Sequence, residues 1–315
     1  MDYLPETRRC VSAQTRRDFE VLVLDNASPP DAQRFFADWA REDARVKSLR
    51  VDERVPMFSN FNRGMRATKT ELVTFFHDDD VYLPRFLEVL AGELERRPAA
   101  AFAGSNFDFI DEGGDVIEER RWIKRNEHWD ASRYVTELVG RGRNPVPMQG
   151  LVFRRSAFGA EGFDETLPIH FGDFVLLMRA AERGGMLVVN EPLMRVRRHA
   201  GQASVMPLSK SIALRSELMA KYLDELVART PAYSDLVGKL RGRVTLSHRV
   251  GMVWGWTVAE DDRERTACVE SLGDGALDSV LRRVLIWAEQ RGLRPRRTSI
   301  HLGRVARTAA NVFRL

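Results

Sequence analysis

The sequence predicts a doubly wound α/β fold followed by an all-helical C-terminal third. Three observations carry that prediction. Two short apolar runs, Glu20 to Leu24 and Leu72 to Phe76, each stop abruptly at acidic residues. The segments between them have helical apolar spacing, so strand and helix alternate. After Pro207 the composition shifts to long stretches of helical periodicity.

Taken in order, Leu4 to Gln14 reads as a helix and Glu20 to Leu24 as a buried parallel strand. Asp25-Asn26-Ala27-Ser28-Pro29-Pro30-Asp31 is a series of turn formers. Asp31 to Arg41 has helical spacing at Phe35, Phe36 and Trp39; Arg45 to Val51 is a second strand, and Asn60 to Thr68 a helix that leads into the acid-tipped strand. Pro84 to Glu95 predicts a helix, Ala100 to Ala103 a short strand, and Asn106 to Ile117 a hairpin turned by Gly113-Gly114. Leu151 to Arg154 and Met186 to Val189 are further strands, with a helix from Gly172 to Arg183 between them. Ser209 to Leu226, Leu236 to Trp256 and Leu277 to Gln290 are helices. The division expected is residues 1–206 for the α/β domain and 207–315 for the helical region.

Composition narrows the function classes. At 315 residues, with 44% apolar and 30% charged residues, the chain can bury a sizeable core. A net charge of +4 is too small and dispersed to indicate nucleic acid. Cys10 and Cys268 stand far apart with no neighbouring ligand spacing, so neither a zinc site nor a disulfide framework is expected, and a cytoplasmic setting is compatible. No stretch approaches the roughly 20 apolar residues of a membrane span.

The chemistry concentrates at His77-Asp78-Asp79-Asp80. Three adjacent carboxylates repel one another and are tolerated where solvent or a cation offsets the repulsion. Hard oxygen ligands suit Mg²⁺ or Mn²⁺, and such an ion with open positions is what a diphosphate needs. An exposed acidic turn is the competing reading. In doubly wound sheets ligands bind beyond the carboxyl ends of the strands, where both Asp25 and Asp78 to Asp80 fall.

With these pieces in this order, the chain resembles the family 2 glycosyltransferases, inverting enzymes of GT-A fold that use nucleotide-activated sugars. Four motifs carry the resemblance between Asp2 and about Ser204. Asp18 to Ser28 resembles the family's strand ending in an aspartate turn, which implies that Asp25 binds the nucleobase; a helix N-cap is its alternative role. Asn60-Phe61-Asn62-Arg63-Gly64 resembles the element before the metal-binding strand, with Arg63 on phosphate or fixing the acidic loop. His77 to Asp80 resembles the DxD signature. It implies Asp78 at the ribose or base side, Asp80 on the metal that bridges the diphosphate, and Asp79 sharing either task. Gly162-Phe163-Asp164-Glu165 with Gly172-Asp173-Phe174 resembles the acceptor-side segment. It makes Asp173 the candidate general base, although the family more often has Glu-Asp where this chain has Gly172-Asp173.

A weaker match, Arg195 to Ser204, resembles an Arg-x-His loop that closes over the diphosphate, with His199 as a metal ligand or phosphate contact and Arg198 neutralising charge. Gln149-Gly150 falls where the family lines the acceptor pocket. The resemblance thus implies a metal-dependent inverting transfer from a nucleotide-diphosphate sugar to a glycan or lipid-linked acceptor, as in polysaccharide, glycolipid or cell-envelope glycan synthesis.

Family members begin with a further β-strand and loop before the point where this chain starts. Its absence would leave Val21 and Val23 beside an unpaired sheet position, and the expectation is that the natural protein is longer. The competing functions are a nucleotidyltransferase and a non-catalytic nucleotide-sugar-binding or scaffold protein. In the C-terminal third, Trp254, Trp256 and Trp287 sit among apolar spacings suited to core packing or to a homodimer contact. At the end, six arginines from Arg294 to Arg314 accompany Leu302, Val305, Ala309, Val312 and Phe313 at helical spacing. Such a basic amphipathic helix suits either a solvated surface or peripheral contact with the inner face of a plasma membrane.

Overall fold

A computed structural model describes residues 3–141, 144–168, 171–199, 201, 207–259 and 261–291. The elements are α1 (Leu4–Ser12), β1 (Val21–Asn26), α2 (Pro30–Glu42), β2 (Val46–Val51), α3 (Met57–Ala67), β3 (Leu72–Thr74), β4 (Val81–Tyr82), α4 (Phe86–Arg96), β5 (Phe102–Ile110), β6 (Val116–Arg120), β7 (Glu127–Trp129), α5 (Ala131–Arg141), β8 (Leu151–Arg154), α6 (Gly172–Gly184) and β9 (Met186–Arg197). The helices α7 (Leu208–Arg229), α8 (Ser234–Val258), α9 (Asp262–Glu270) and α10 (Ala276–Gln290) follow. The chain forms two compact units, Met1–Tyr134 with Val146–Ala203 and Val135–Pro145 with Ser204–Leu315. Among the described residues, no helix is long and apolar enough to cross a membrane.

The α/β class holds, with a sheet arrangement more mixed than the alternation predicts. β1 and β2 run parallel as a pair, while a seven-stranded sheet has the order β3-β8-β5-β9-β4, with β6 on β5 and β7 on β9. Only β5 and β9 are parallel in the larger sheet. Tight returns such as the β5–β6 hairpin enforce antiparallel neighbours. The residues of β1 from Val21 to Leu24 are half-buried, and Val21 and Val23 pack against Val11, Trp39 and Val46.

Two strands are far longer than their apolar runs. β5 continues from Phe102 to Ile110 through Ser105, Asn106 and Asp108, all buried. Those polar side chains hide the strand in the sequence, and specific partners allow it in the structure. Asn106 pairs with both the N–H and the carbonyl of Ile123 at 3.0 and 2.9 Å, and Asp108 pairs with Arg121. β9 runs on to Arg197 past Pro192, which sits at a register shift opposite Asn106, where a missing N–H is tolerated.

The core of the α/β unit lies between α4 and the sheet, where Phe86, Leu90 and Leu94 meet Phe107, Leu187 and Met194. Each such side chain contributes roughly 1.5–3 kcal/mol by leaving water. No side chain of α4's own turn caps its N-terminus; the fully buried Gln14 accepts the Leu87 N–H at 3.0 Å and donates to Leu83 O and Cys10 O. That contact ties α1 to the chain immediately after the acidic loop.

α3 fixes the other side. Asn60 donates to Leu24 O, and Gly64 lies so close to Leu24 that an added Cβ would stand 2.7 Å from its side chain. Asn62 donates to Phe163 O and Glu165 Oε1 and accepts from Phe163 N, all within 2.9 Å. Gly162 has φ of 63°, and a Cβ there would meet Asn62 Oδ1 at 2.5 Å. The Asn-x-Asn-Arg-Gly element is therefore a clamp between β1 and the turn that precedes α6. Asn62→Ala leaves a buried N–H and carbonyl without partners, and urea unfolding should show a loss of about 2–4 kcal/mol with an unchanged m-value.

Candidate active site

The acidic loop joins β3 to β4 and is graded in exposure: Asp78 is exposed, Asp79 half-buried and Asp80 2% exposed. Asp80 Oδ1 accepts the Arg197 N–H at 2.9 Å, whereas Oδ2 is buried without a hydrogen bond of regular geometry. Burial, and next the charge of Asp79, push the Asp80 carboxyl up to about 7, against the pull of the Arg197 N–H and the nearby Gln149 side chain. His77 Nε2 is likewise buried and unpartnered. Burial holds its imidazole below the usual pKa, opposed by the carboxylates of Asp79 and Asp78.

Ligand atoms of His77, Asp79 and Asp80 lie within 4.8 Å of one another. Two oxygens and a nitrogen at that spacing fit a divalent cation. A buried carboxylate oxygen and a buried imidazole nitrogen, both short of partners, are what such an ion would satisfy. His199 stands beside the cluster, with Nε2 3.1 Å from Asp79 Oδ2. His77 was not singled out as a ligand in the sequence, where it reads as the last residue of an apolar strand. The signal was its adjacency to the triplet.

One arginine organises the loop. Arg197 is 2% exposed; its Nε donates to Asp79 O at 2.9 Å, Nη1 donates to the carbonyls of Asp111 and Glu112, and Nη2 pairs with Glu6 of α1. Its guanidinium also lies 4.4 Å from the Tyr3 ring, and that ring meets His199 at 5.5 Å. Thr7 donates to Asp78 O at 2.9 Å. In the sequence Arg197 is one of three arginines in five residues, and Arg198 was the expected neutraliser. Arg198 instead pairs with Glu118 at 3.0 Å over the Phe109 ring. Strand alternation extended through β9 separates the two, but the strand's length was not legible. Of the loop beyond His199, Ala200 and 202–204 lie outside the described residues.

The other candidates are built into the scaffold. Asp25 is 3% exposed and accepts the Ser28 N–H at 2.8 Å and Arg50 at 2.6 Å. Burial would raise its pKa, but Ser28 and Arg50 together hold it below the usual value. Parallel register sets Arg50 opposite Asp25. Arg63 donates to Leu49 O at 2.9 Å and Asn60 Oδ1 at 2.6 Å, so it ties α3 to β2. Gln149 and Gly150 form a 3-10 turn before β8; Gln149 faces Asp80, and Gly150 is buried so close to Met194 that a Cβ would stand 2.5 Å from its sulfur.

Asp173 occupies the first turn of α6, where the helix N-terminus favours a carboxylate. At Gly172 the Phe58 ring comes within 2.1 Å of where a Cβ would be, so the first acid of the family pair has no room. Phe58 stacks in turn on Phe163 at 5.2 Å. Tyr134 is buried nearby, and burial followed by the Asp173 charge pushes its hydroxyl well above the usual pKa.

Residues 1–158 match the family described as Glycosyl transferase family 2, half of the chain. The chain belongs to glycosyltransferase family 2. Among the relatives of this family 2 chain, an uncharacterised glycosyltransferase of Methanocaldococcus jannaschii is 25% identical over 118 residues, 37% of this chain and 41% of that one. The glycosyltransferase GlyG of Streptococcus pneumoniae is 21% identical over 113 residues, 36% of this chain and 38% of that one. The chain thus matches about two fifths of the length of either relative. A crystal structure of residues 1–349 of S. aureus TarS in complex with UDP-GlcNAc superposes with a TM-score of 0.65 at 13% identity, over 91% of this chain and 84% of that one. TarS 1–349 alone gives 0.66 at 12% identity, over 92% and 88%. These matches support the GT-A type fold.

The raised pKa of Asp80 generates a prediction. The folded chain holds this proton more tightly than the unfolded one, so the stabilisation is full below the ordinary value of 3.8 and is lost as pH rises through about 7. With chelator present, Asp80→Asn should therefore melt above the wild type at pH 8, and the gap should close as pH falls toward 4. Mn²⁺ should raise the wild-type Tm at pH 8 and leave the variant unmoved. A gap independent of pH would show that Asp80 does not hold the proton.

Proposed function

We propose that this protein is a metal-dependent inverting glycosyltransferase that moves a sugar from a nucleoside-diphosphate donor to a hydroxyl acceptor, a glycan or a lipid-linked glycan. The observation that carries the reading is the His77, Asp79 and Asp80 cluster, with buried ligand atoms waiting for a cation at the end of β3. A Mg²⁺ or Mn²⁺ ion held there supplies charge to bind and stabilise a diphosphate leaving group.

The chain's own residues do the rest. Arg197 holds the loop backbone so that Asp79 and Asp80 stay aligned, and exposed Asp78 is available to the ribose. Asp25, braced by Arg50 and Ser28, fixes the turn after β1 as the nucleobase edge of the site. Arg63 holds that edge from behind by its bond to Leu49 O. Gln149 and Gly150 border the acidic loop on the acceptor side, and His199 steadies Asp79. Asp173 takes the proton from the acceptor hydroxyl as its oxygen attacks the anomeric carbon from the face opposite the leaving group, which inverts the centre. TarS was crystallised with UDP-GlcNAc, and the shared fold makes UDP-sugars the first donors to test.

The test combines binding and turnover. Titrating UDP, GDP and dTDP with and without Mn²⁺ should give metal-dependent binding of one nucleotide, abolished in Asp80→Ala. Asp173→Asn should bind that nucleotide as the wild type does, yet lose about 10²–10⁴ in kcat, the range for removing a general base. Metal-dependent binding without transfer in the wild type would favour the non-catalytic reading; no nucleotide binding at all would overturn the proposal.

A further inference from the structure

Along α8, Gly238, Gly242, Leu246, Val250, Trp254 and Val258 fall four residues apart and make one continuous row on the helix surface. All six are exposed, the four large ones to 37–40%. α10 lies beside the C-terminal half of this helix. Arg249 of α8 pairs with Asp278 of α10 at 2.5 Å, and Leu281 and Leu285 join Met252 and Trp256 in one core cluster. Next to the residues it buries, α10 carries a second row, Leu277, Val280, Val284 and Trp287, exposed to 46–53%. Eight large apolar side chains in two neighbouring rows form a patch, not the scattered exposure normal for a surface.

The α8 row is also complementary to itself. It opens with two glycines, and a Cβ at either would meet nothing within 4 Å. Among the described residues no packing asks for glycine there, and glycine is a poor choice in a helix interior. Two such rows can be laid antiparallel with their midpoint between Leu246 and Val250. Trp254 of one helix then comes over Gly242 of the other, Val258 over Gly238, and Leu246 over Val250. The largest side chain meets a gap, and each contact occurs twice, as twofold symmetry requires. Rows spaced by four interdigitate at a crossing angle of about −50°, the commonest helix packing in globular proteins.

We propose that this face is the interface of a homodimer, in which two copies of α8 cross antiparallel about the midpoint between Leu246 and Val250 and the α10 rows flank the contact. At roughly 150–250 Å² for each whole side chain, eight side chains at these exposures offer on the order of 700 Å² per copy, close to the roughly 800 Å² that each partner contributes to a stable interface. A membrane gains from every apolar side chain and nothing from a gap, so the two glycines fit a second copy of the chain and not a lipid surface.

Sedimentation equilibrium of the full chain tests the interface. The wild type should be a dimer at micromolar concentration. Gly242→Leu should raise its dissociation constant at least tenfold, because the new side chain fills the gap that Trp254 needs. Helical content by circular dichroism should stay unchanged, since the position is exposed with open space around it. A monomeric wild type would overturn the proposal, as would an unchanged dissociation constant in a folded Gly242→Leu variant. Association seen only on phosphatidylserine vesicles would assign the face to lipid and overturn it too. Should that variant fold poorly, thiol pairing gives an independent reading of the register, with Cys10 and Cys268 buried and left in place. A mixture of Leu246→Cys and Val250→Cys chains should form the mixed disulfide between copies at least tenfold faster than a mixture of Leu246→Cys and Thr245→Cys, whose second thiol lies off the row. Equal rates would overturn the proposal.

Discussion

The acidic loop exists in its folded form because Arg197 is buried inside it. A guanidinium removed from water is costly unless every donor finds an acceptor, and here carbonyls of the loop, carbonyls of the β5–β6 turn and a carboxylate of α1 receive it. The same residue's N–H anchors Asp80. One residue therefore ties the loop backbone and Asp80 to α1, β9 and the hairpin. Removing it would leave Glu6 half-buried without this partner and the loop carbonyls without donors, and such losses in a buried network run to about 3–5 kcal/mol.

That arrangement explains which parts of the site could be read in advance. The DxD acids and Asp173 announce themselves because charge at the end of an apolar strand, or at the start of an apolar helix, contradicts its surroundings. Arg197 does not, since an arginine among arginines looks like an exposed edge. Its burial follows from β9 running eight residues beyond Val189, and the register shift at Pro192 that permits this is a tertiary matter. Much the same holds for β5, whose buried Asn106 and Asp108 look like loop residues until Ile123 and Arg121 supply their partners. The fold class and most helices were legible from periodicity; α5, α9 and the short strands β4 and β7 were not. A two- or three-residue strand such as β4 or β7 carries too little pattern to register, and α9 mixes charged and small residues without an apolar stripe.

Residues with a motif-level resemblance turn out to work at two distances from the chemistry. Asn60, Asn62 and Arg63 spend their hydrogen bonds on Leu24, Phe163 and Leu49, so their element is a brace that sets the spacing between β1, β2 and the turn before α6. Gly64 and Gly162 belong to the same brace, since a side chain at either would collide with Leu24 or Asn62. The acids of the loop stand at the other distance, with oxygens still available. A substitution in the brace would be felt as instability, because it removes hydrogen bonds that join α3 to β1, β2 and the turn before α6.

The aromatic packing under α6 completes the argument about the base. Phe58 fills the place where an acid at residue 172 would stand, so the α6 N-terminus carries a single carboxylate in its first turn. Asp173 is the acid of that first turn, at the end of the helix where backbone N–H groups favour a carboxylate. Phe58 rests on Phe163, and Phe163 is held at both its N–H and its carbonyl by Asn62. The position of the candidate base is thus set, through one aromatic stack and one amide, by the same helix that donates to Leu24 O of β1.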